Sequence, residues 1–241
     1  MSPYVIIYSS LLFGAGALLV FGTFLFFGPF GIVDLKLGTG GTLFIDAALS
    51  LVFFVQHSLM IRRWCRRWVS ARIPGEYYDA LYSIASGAVL LFVVILWQEV
   101  RPAIAEAEGL AHWILRLLFF LSIAGFHWGV RSLSAFDPFG VRKLMVHLHR
   151  KKPKSMPLAV RGAYRWVRHP LYLFMLVMIW SSPYITADRL LFNVLWTAWT
   201  VVAAFLEERD LVADFGDAYR KYQAKVPMLI PWKIPQIKGE D

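Results

Sequence analysis

Two short stretches collect the residues best suited to chemistry. RGAYRWVRHPLYLF, Arg161 to Phe174, sets Arg168, His169 and Pro170 directly before an apolar run, and FLEERDL, Phe205 to Leu211, sets Glu207 and Glu208 directly after another. An arginine or histidine suits a carboxylate, a glutamate suits an ammonium group or sugar hydroxyls, and aromatic rings suit a flat base or a cation. Tyr164 and Tyr172 flank the first charges, and Tyr219 and Tyr222 follow the second, so one of each kind of group is available. Pro170 has no N–H to donate and suits the first turn of a helix, which places Arg168 and His169 at a helix's N-terminal lip. When the next helix returns to the same side, the Arg-His-Pro start and the Glu-Glu end become neighbours. Adjacent glutamates point about 100° apart on a helix, so one is expected to face a ligand, with Glu208 favoured, and the other to pair with an arginine.

The elements that must hold these groups are membrane helices. The 241 residues are 58 % hydrophobic and 16 % aromatic, with only 17 % charged, a composition outside the soluble range. Apolar runs able to cross a hydrocarbon core of about 30 Å cover 4–27, 43–60, 80–98, 112–130 and 189–206, and a shorter one, broken by Ser181, Ser182 and Pro183, covers 170–187. The expected fold is therefore an all-α integral membrane protein with about six transmembrane helices and a C-terminal cytoplasmic amphipathic helix. It reads as one membrane domain, 1–241, with a four-span part, 1–130, and a part, 131–241, made of a basic loop, a helical hairpin and the amphipathic helix. The first span carries no Lys or Arg in its first ten residues and no small-residue cleavage site, so it is expected to stay in the protein.

Charge sets the orientation. Of 25 Lys and Arg residues, 21 lie in 61–79, 131–169 and 207–241, all on one side of a six-span arrangement. By the excess of basic residues in cytoplasmic loops, both termini are expected in the cytoplasm of an inner-membrane protein. The net charge of +9 then reads as topology and as contact with anionic lipid headgroups, with no nucleic-acid role. Cys65 is the single cysteine, so no internal disulfide forms. No repeat of 20–50 residues is visible.

Within 131–169, Phe136 to His149 is basic and amphipathic, and Arg150 to Pro157 is a Lys/Pro breaker expected to be extended. After the glutamates, Leu211, Phe215, Tyr219 and Tyr222 fall at i, i+4, i+8 and i+11, one face of a helix lying on the membrane surface. Its tyrosines suit either interfacial anchoring or the wall of a cofactor pocket.

Taken as a set, Arg168, His169, Pro170 and Tyr172, then Glu207, Glu208 and Leu211, then Phe215, Gly216, Tyr219 and Tyr222 resemble the C-terminal half of the integral-membrane methyltransferases, a family that includes isoprenylcysteine carboxyl methyltransferase and the phospholipid methyltransferases. That resemblance covers roughly the last third of the chain and implies S-adenosylmethionine as cofactor, held by Tyr164, Arg168, His169, Tyr172, Glu207, Glu208, Tyr219 and Tyr222. Upstream, VQHSLM at 55–60, FDPFGVRKL at 136–144 and the ending VPMLIPW look most like the bacterial membrane enzymes that S-methylate methanethiol to dimethyl sulfide. The implied acceptor is a small thiol; a prenylated or lipid carboxylate or amine is the alternative.

Thiol transfer joins a thiolate to a sulfonium and leaves neutral products, so a dry site favours it, but an alkyl thiol must first lose its proton. Asp46, Ser50, Phe53 and His57 share one face of the second span, and Arg116, His127 and Arg131 one face of the fourth, with His112 a turn earlier. Ionisable groups inside spans are costly and normally face the interior. His57 and His127 are candidate bases and Arg131 a candidate partner for a thiolate; no metal site is expected. From another class, His57 and His127 would also suit a haem-binding or denitrification-associated membrane protein, a reading that leaves the Arg-His-Pro and Glu-Glu motifs without a role.

Overall fold

The computed structural model describes residues 2–133, 137–149, 158 and 160–233. The Lys/Pro breaker at 150–157 lies outside the described residues. In chain order the helices are α1 Pro3–Phe27, α2 Thr39–Ile61, α3 Arg63–Ser70, α4 Tyr78–Leu96, α5 Gly109–Ser132, α6 Val141–Leu148, α7 Pro170–Trp180, α8 Ala187–Phe215 and α9 Asp217–Lys225. A 3-10 turn, Gly75–Tyr77, leads into α4, and another, Gly162–Arg165, precedes α7. Helices α1, α2, α4, α5 and α8 are long and apolar enough to cross a membrane, so the all-α membrane fold expected from composition is the one observed.

The chain divides into two compact units. The first comprises Met1–Ile104, Asp137–Lys154 and Ile185–Leu195; the second comprises Ala105–Phe136, Ser155–Tyr184 and Trp196–Asp241. In the first, Phe24, Trp97 and Phe192 meet edge to face, with ring centroids 5.9 Å and 5.4 Å apart along the series Phe24, Trp97, Phe192. Aromatic pairs favour such T-shaped contacts because the positive ring edge meets the negative face. Buried Asp188 accepts from Trp97 Nε1 at 3.1 Å and from the Val100 N–H at 2.9 Å, and buried Asp46 accepts the Gln98 N–H at 3.0 Å. These carboxylates satisfy buried donors just past the end of α4. Asp46, Ser50 and Phe53 are buried along one face of α2, as their spacing predicts. At the other end of α4, Asp79 pairs with both Arg66 of α3 and Lys143 of α6.

In the second unit α5 and α7 approach closely. A Cβ on Gly125 would lie 2.3 Å from the Phe174 ring, and one on Gly129 would lie 2.7 Å from Leu171 Cδ2. In lipid, where apolar surface gains little by leaving the solvent, such van der Waals fit through small residues holds helices together. Trp180 Nε1 donates to Thr197 Oγ1 at 3.0 Å, closing the hairpin of α7 with α8.

Two expectations about this hairpin change. The run 170–187 is helical only over the eleven residues of α7, a rise of about 16 Å, roughly half the hydrocarbon thickness. Ser181 Oγ turns back to the Met178 carbonyl at 2.8 Å, and Pro183 follows, so the backbone leaves the helix there. Conversely, α8 does not end at Glu207 and Glu208 but continues to Phe215. The break comes at Gly216, with φ 57° and ψ −130°, a backbone open to glycine and strained for any side chain. The single surface helix expected to carry Leu211, Phe215, Tyr219 and Tyr222 is therefore two helices. The turn still brings the four together, with Tyr219, Tyr222 and Val226 buried against Leu211, Val212 and Phe215.

Candidate active site

The site lies in the second unit, where the start of α7, the C-terminal third of α8, and α9 meet. Two anchors set the entry to α7. Arg161 Nε donates to the Ser132 carbonyl at 2.8 Å and the Ala163 N–H to Ser132 Oγ at 3.2 Å, tying the 3-10 turn to the end of α5. The Arg168 N–H donates to the Pro227 carbonyl at 2.9 Å and the His169 N–H to the Met228 carbonyl at 3.1 Å, so the residues before α7 run beside those after α9. Pro170 then opens α7 at a position needing no N–H, as its sequence context predicts.

At the centre is Glu208, 6 % exposed. Its Oε1 accepts from Arg168 Nε at 2.8 Å, His169 Nε2 at 2.8 Å and the Tyr219 hydroxyl at 2.7 Å. Its Oε2 accepts from Arg168 Nη2 at 2.9 Å and Gln223 Nε2 at 2.5 Å. Five donors fill the acceptor capacity of one carboxylate. Arg168 is engaged as fully, since its Nη1 also donates to the carbonyls of Gln223 at 3.1 Å and Val226 at 2.5 Å. A bidentate arginine–carboxylate pair of this kind is short, directional and strong, and here it ties α7, α8 and α9 to one point. Burial, and the hydrogen bond to Glu208, push the Tyr219 hydroxyl well above its ordinary range, so it remains a donor. Burial also raises the hydroxyls of Tyr222 and Tyr164, and the Tyr222 hydroxyl donates to the Tyr164 carbonyl at 2.6 Å.

Glu207 is placed differently. Its side chain is 47 % exposed, with Oε2 3.6 Å from His169 Nδ1 and within the influence of the Tyr172 hydroxyl. The His169 and Tyr172 rings stack with centroids 5.4 Å apart and planes 7° apart. Glu208 takes the arginine and with it lines the cleft described below, while Glu207 is the more exposed of the two. Helix rotation explains it, because consecutive residues on α8 point about 100° apart and Glu208 is on the face that α9 covers.

Beside this hub is a cleft of about 570 Å³ lined by Arg168, Phe205, Glu208, Arg209, Val212, Gln223 and Met228. Phe205, Arg209, Val212, Gln223 and Met228 were not singled out from the sequence. Gln223 falls one turn beyond Tyr219 on α9, and Phe205 one turn before Arg209 on α8, so helical spacing could have found both; Met228 lies past α9 and had no such signal. The structure brings Tyr164, Arg168, His169, Tyr172, Glu207, Glu208, Tyr219 and Tyr222 into one neighbourhood. His127 and Arg131 also belong to the second unit, at exposed positions of α5. His57 belongs to the first, half-buried on α2 beside Phe53, with the Tyr82 hydroxyl 2.7 Å from its Nε2. No group of three or more metal-ligating side chains occurs among the described residues.

The family model described as NnrU protein matches residues 46–230. A methanethiol S-methyltransferase of Pseudomonas sp. strain GM41 is 35% identical over 215 residues, 86% of this chain and 81% of its own length. One from Mycobacterium tuberculosis is 33% identical over 194 residues, 80% of each chain. Nurim of Rattus norvegicus is 31% identical over 188 residues, 74% of this chain and 71% of its own. No solved structure matches. The chain belongs to the NnrU protein family and is homologous to the methanethiol S-methyltransferases.

Proposed function

We propose that this protein is a multi-pass membrane methyltransferase that moves the methyl group of S-adenosylmethionine to the sulfur of a small thiol, with methanethiol, named by its relatives, as the acceptor. The observation that carries the reading is the cleft built on the Arg168–Glu208 pair in a chain so similar to those enzymes. Its volume falls in the range of small-molecule sites, roughly 300–1,000 Å³, and its donor set suits the cofactor. Arg209 has the charge to meet the carboxylate of the methionine portion, while Phe205, Val212 and Met228 offer apolar surface to the adenine.

The bound cofactor supplies a methyl group on a sulfonium, an electrophile open to a thiolate. Arg168, Glu208 and Gln223 form the polar wall of the cleft, His169 and Tyr219 hold that wall through Glu208, and Tyr164, Tyr172 and Tyr222 are our further candidates for contact with the cofactor. An alkyl thiol keeps most of its protons near neutral pH, so the chain also has to take one. His57 is our assignment for that step, with His127 as the second candidate and Arg131 as a charge able to hold a thiolate. The clustering of basic residues in 61–79, 131–169 and 207–241 supports both termini in the cytoplasm of an inner membrane, and contact of those segments with anionic headgroups.

The test combines calorimetric titration of S-adenosylmethionine into detergent-purified protein, its visible absorption spectrum, and headspace detection of dimethyl sulfide from methanethiol. Saturable binding, no haem band and cofactor-dependent dimethyl sulfide are the expected results. A haem band, or no cofactor binding, would overturn the reading.

A further inference from the structure

His169 stands between two carboxylates. Its ring is buried, with Nε2 2.8 Å from Glu208 Oε1 and Nδ1 3.6 Å from Glu207 Oε2. The Tyr172 ring covers its face, and the Tyr172 hydroxyl bonds Glu207. Only the imidazolium has a hydrogen on each nitrogen to turn toward the two oxygens; in the neutral ring one carboxylate faces a lone pair. The charged groups around the ring are Arg168 from the lip of α7 and Glu207 and Glu208 from α8. Tyr164 of the 3-10 turn, Tyr172 of α7 and Tyr219 of α9 add phenols, uncharged at neutral pH. With the ring charged, two positive and two negative groups balance; with it neutral, the hub has one net negative charge. Imidazole is the side chain whose charge ordinarily changes between about pH 5 and 8, so the hub has one adjustable charge. That charge borders the cleft, because Arg168 and Glu208 line it and His169 bonds Glu208.

We propose that His169 is a specificity-determining residue, which separates the methyl donor from its demethylated product by giving up a proton when the more positive of the two binds; the proposal rests on the S-adenosylmethionine reading above. The donor has a sulfonium, an ammonium and a carboxylate, a net charge of one positive unit. The product has lost the sulfonium charge and is neutral overall. A hub with the neutral ring attracts the donor more than the product, while a hub with the charged ring is balanced and discriminates less. By linkage, a ligand that prefers the unprotonated hub drives the proton off to solvent. Once the methyl group has left, the extra positive charge is gone and the ring takes a proton back from solvent. His169 acts here through the charge of the wall that Glu208 forms, with no contact to the reacting atoms required.

The test is calorimetric titration of the detergent-purified protein with S-adenosylmethionine, with sinefungin, which has an ammonium-bearing carbon in place of the sulfonium, and with neutral S-adenosylhomocysteine. A range from about pH 5.5 to about pH 7 stays below the ordinary titration of the ligands' own α-ammonium group. Coupling of one pKa unit is tenfold in affinity, so both cationic ligands should gain about fivefold or more across this range, and S-adenosylhomocysteine should stay within about twofold. Repeating the titrations in buffers of different ionisation enthalpy counts protons: the cationic ligands should release about half a proton or more, the neutral one almost none. His169→Gln, whose amide can keep the bond to Glu208, should bind the cationic ligands with a flat pH profile and no proton release. Equal pH slopes for all three ligands in the wild type, or a His169→Gln variant that keeps the difference, would overturn the proposal. The proton count on the wild type decides the matter even where the variant fails to fold. Failure of all three ligands to bind at any pH would instead remove the cofactor reading, and this inference with it.

Discussion

Replacing Glu208 by glutamine tests whether the hub is a scaffold or a ligand. The substitution keeps the volume and removes the charge, and it turns one of two acceptor oxygens into an NH₂ facing donors. If the amide oxygen takes the Oε1 place, Arg168 Nη2 and Gln223 Nε2, at 2.9 Å and 2.5 Å, are left pointing at a donor. The Arg168 guanidinium is then a charge without its counterion in a site where the two side chains are 11% and 8% exposed. Breaking a buried pair from one side costs about 3–5 kcal/mol, on the order of 10 °C in melting temperature for a chain of this size. Fluorescence-detected melting in detergent measures the overall loss, and amide exchange should show it concentrated in α9. Cofactor affinity should fall in parallel, because the cleft shares this wall. A variant that melted like the wild type yet lost the cofactor would refute the argument and make Glu208 a direct ligand.

Other substitutions separate the remaining roles. Arg209→Ala should weaken S-adenosylmethionine binding by about tenfold or more, the size of a charge-assisted hydrogen bond, while leaving the melting temperature unchanged; calorimetry beside melting checks both. Gly125→Ala forces a methyl group to within 2.3 Å of the Phe174 ring and should cost about 1–3 kcal/mol as overpacking, seen as a lower melting temperature that Phe174→Leu partly restores. The Tyr219 hydroxyl titrates higher in the folded protein than in the unfolded chain, through burial and its bond to Glu208. Stability from it is therefore full below the ordinary tyrosine range near pH 10 and lost as pH rises beyond it. Melting followed from neutral to strongly alkaline pH should show a steeper alkaline fall for the wild type than for Tyr219→Phe, and equal slopes would contradict this.

Local features were legible in the chain itself. Five membrane-crossing helices follow from the length and composition of their apolar runs. The buried face of α2 follows from the 3.6-residue period through Asp46, Ser50 and Phe53. Pro170 announces the start of α7 because a residue without an N–H has few other places in a helix. That the Arg-His-Pro, Glu-Glu and tyrosine groups meet was also readable, since a hairpin leaves its two ends at one depth. The C-terminal period was readable too, but it ran straight through Gly216, which periodicity cannot distinguish from a tolerated glycine within one longer helix.

What the sequence determined by itself is the kind of protein and the neighbourhood of its site: helices in a membrane, with a charged and aromatic cluster where one hairpin opens and closes. These depend on interactions between residues near in sequence, or on the solvent, and both are written locally. Tertiary structure alone decided which glutamate is buried, since Glu207 and Glu208 are chemically identical and differ by one step of helix rotation. The deciding contacts, from Arg168, Tyr219 and Gln223, come from α9 and from the lip of α7. It also decided that Tyr82, 25 residues from His57, stands at its ring edge, and that Arg209 lines the cleft. Those facts depend on how helix faces pack against one another, an energy shared among many side chains distant in the chain and expressed only when all of them are in place.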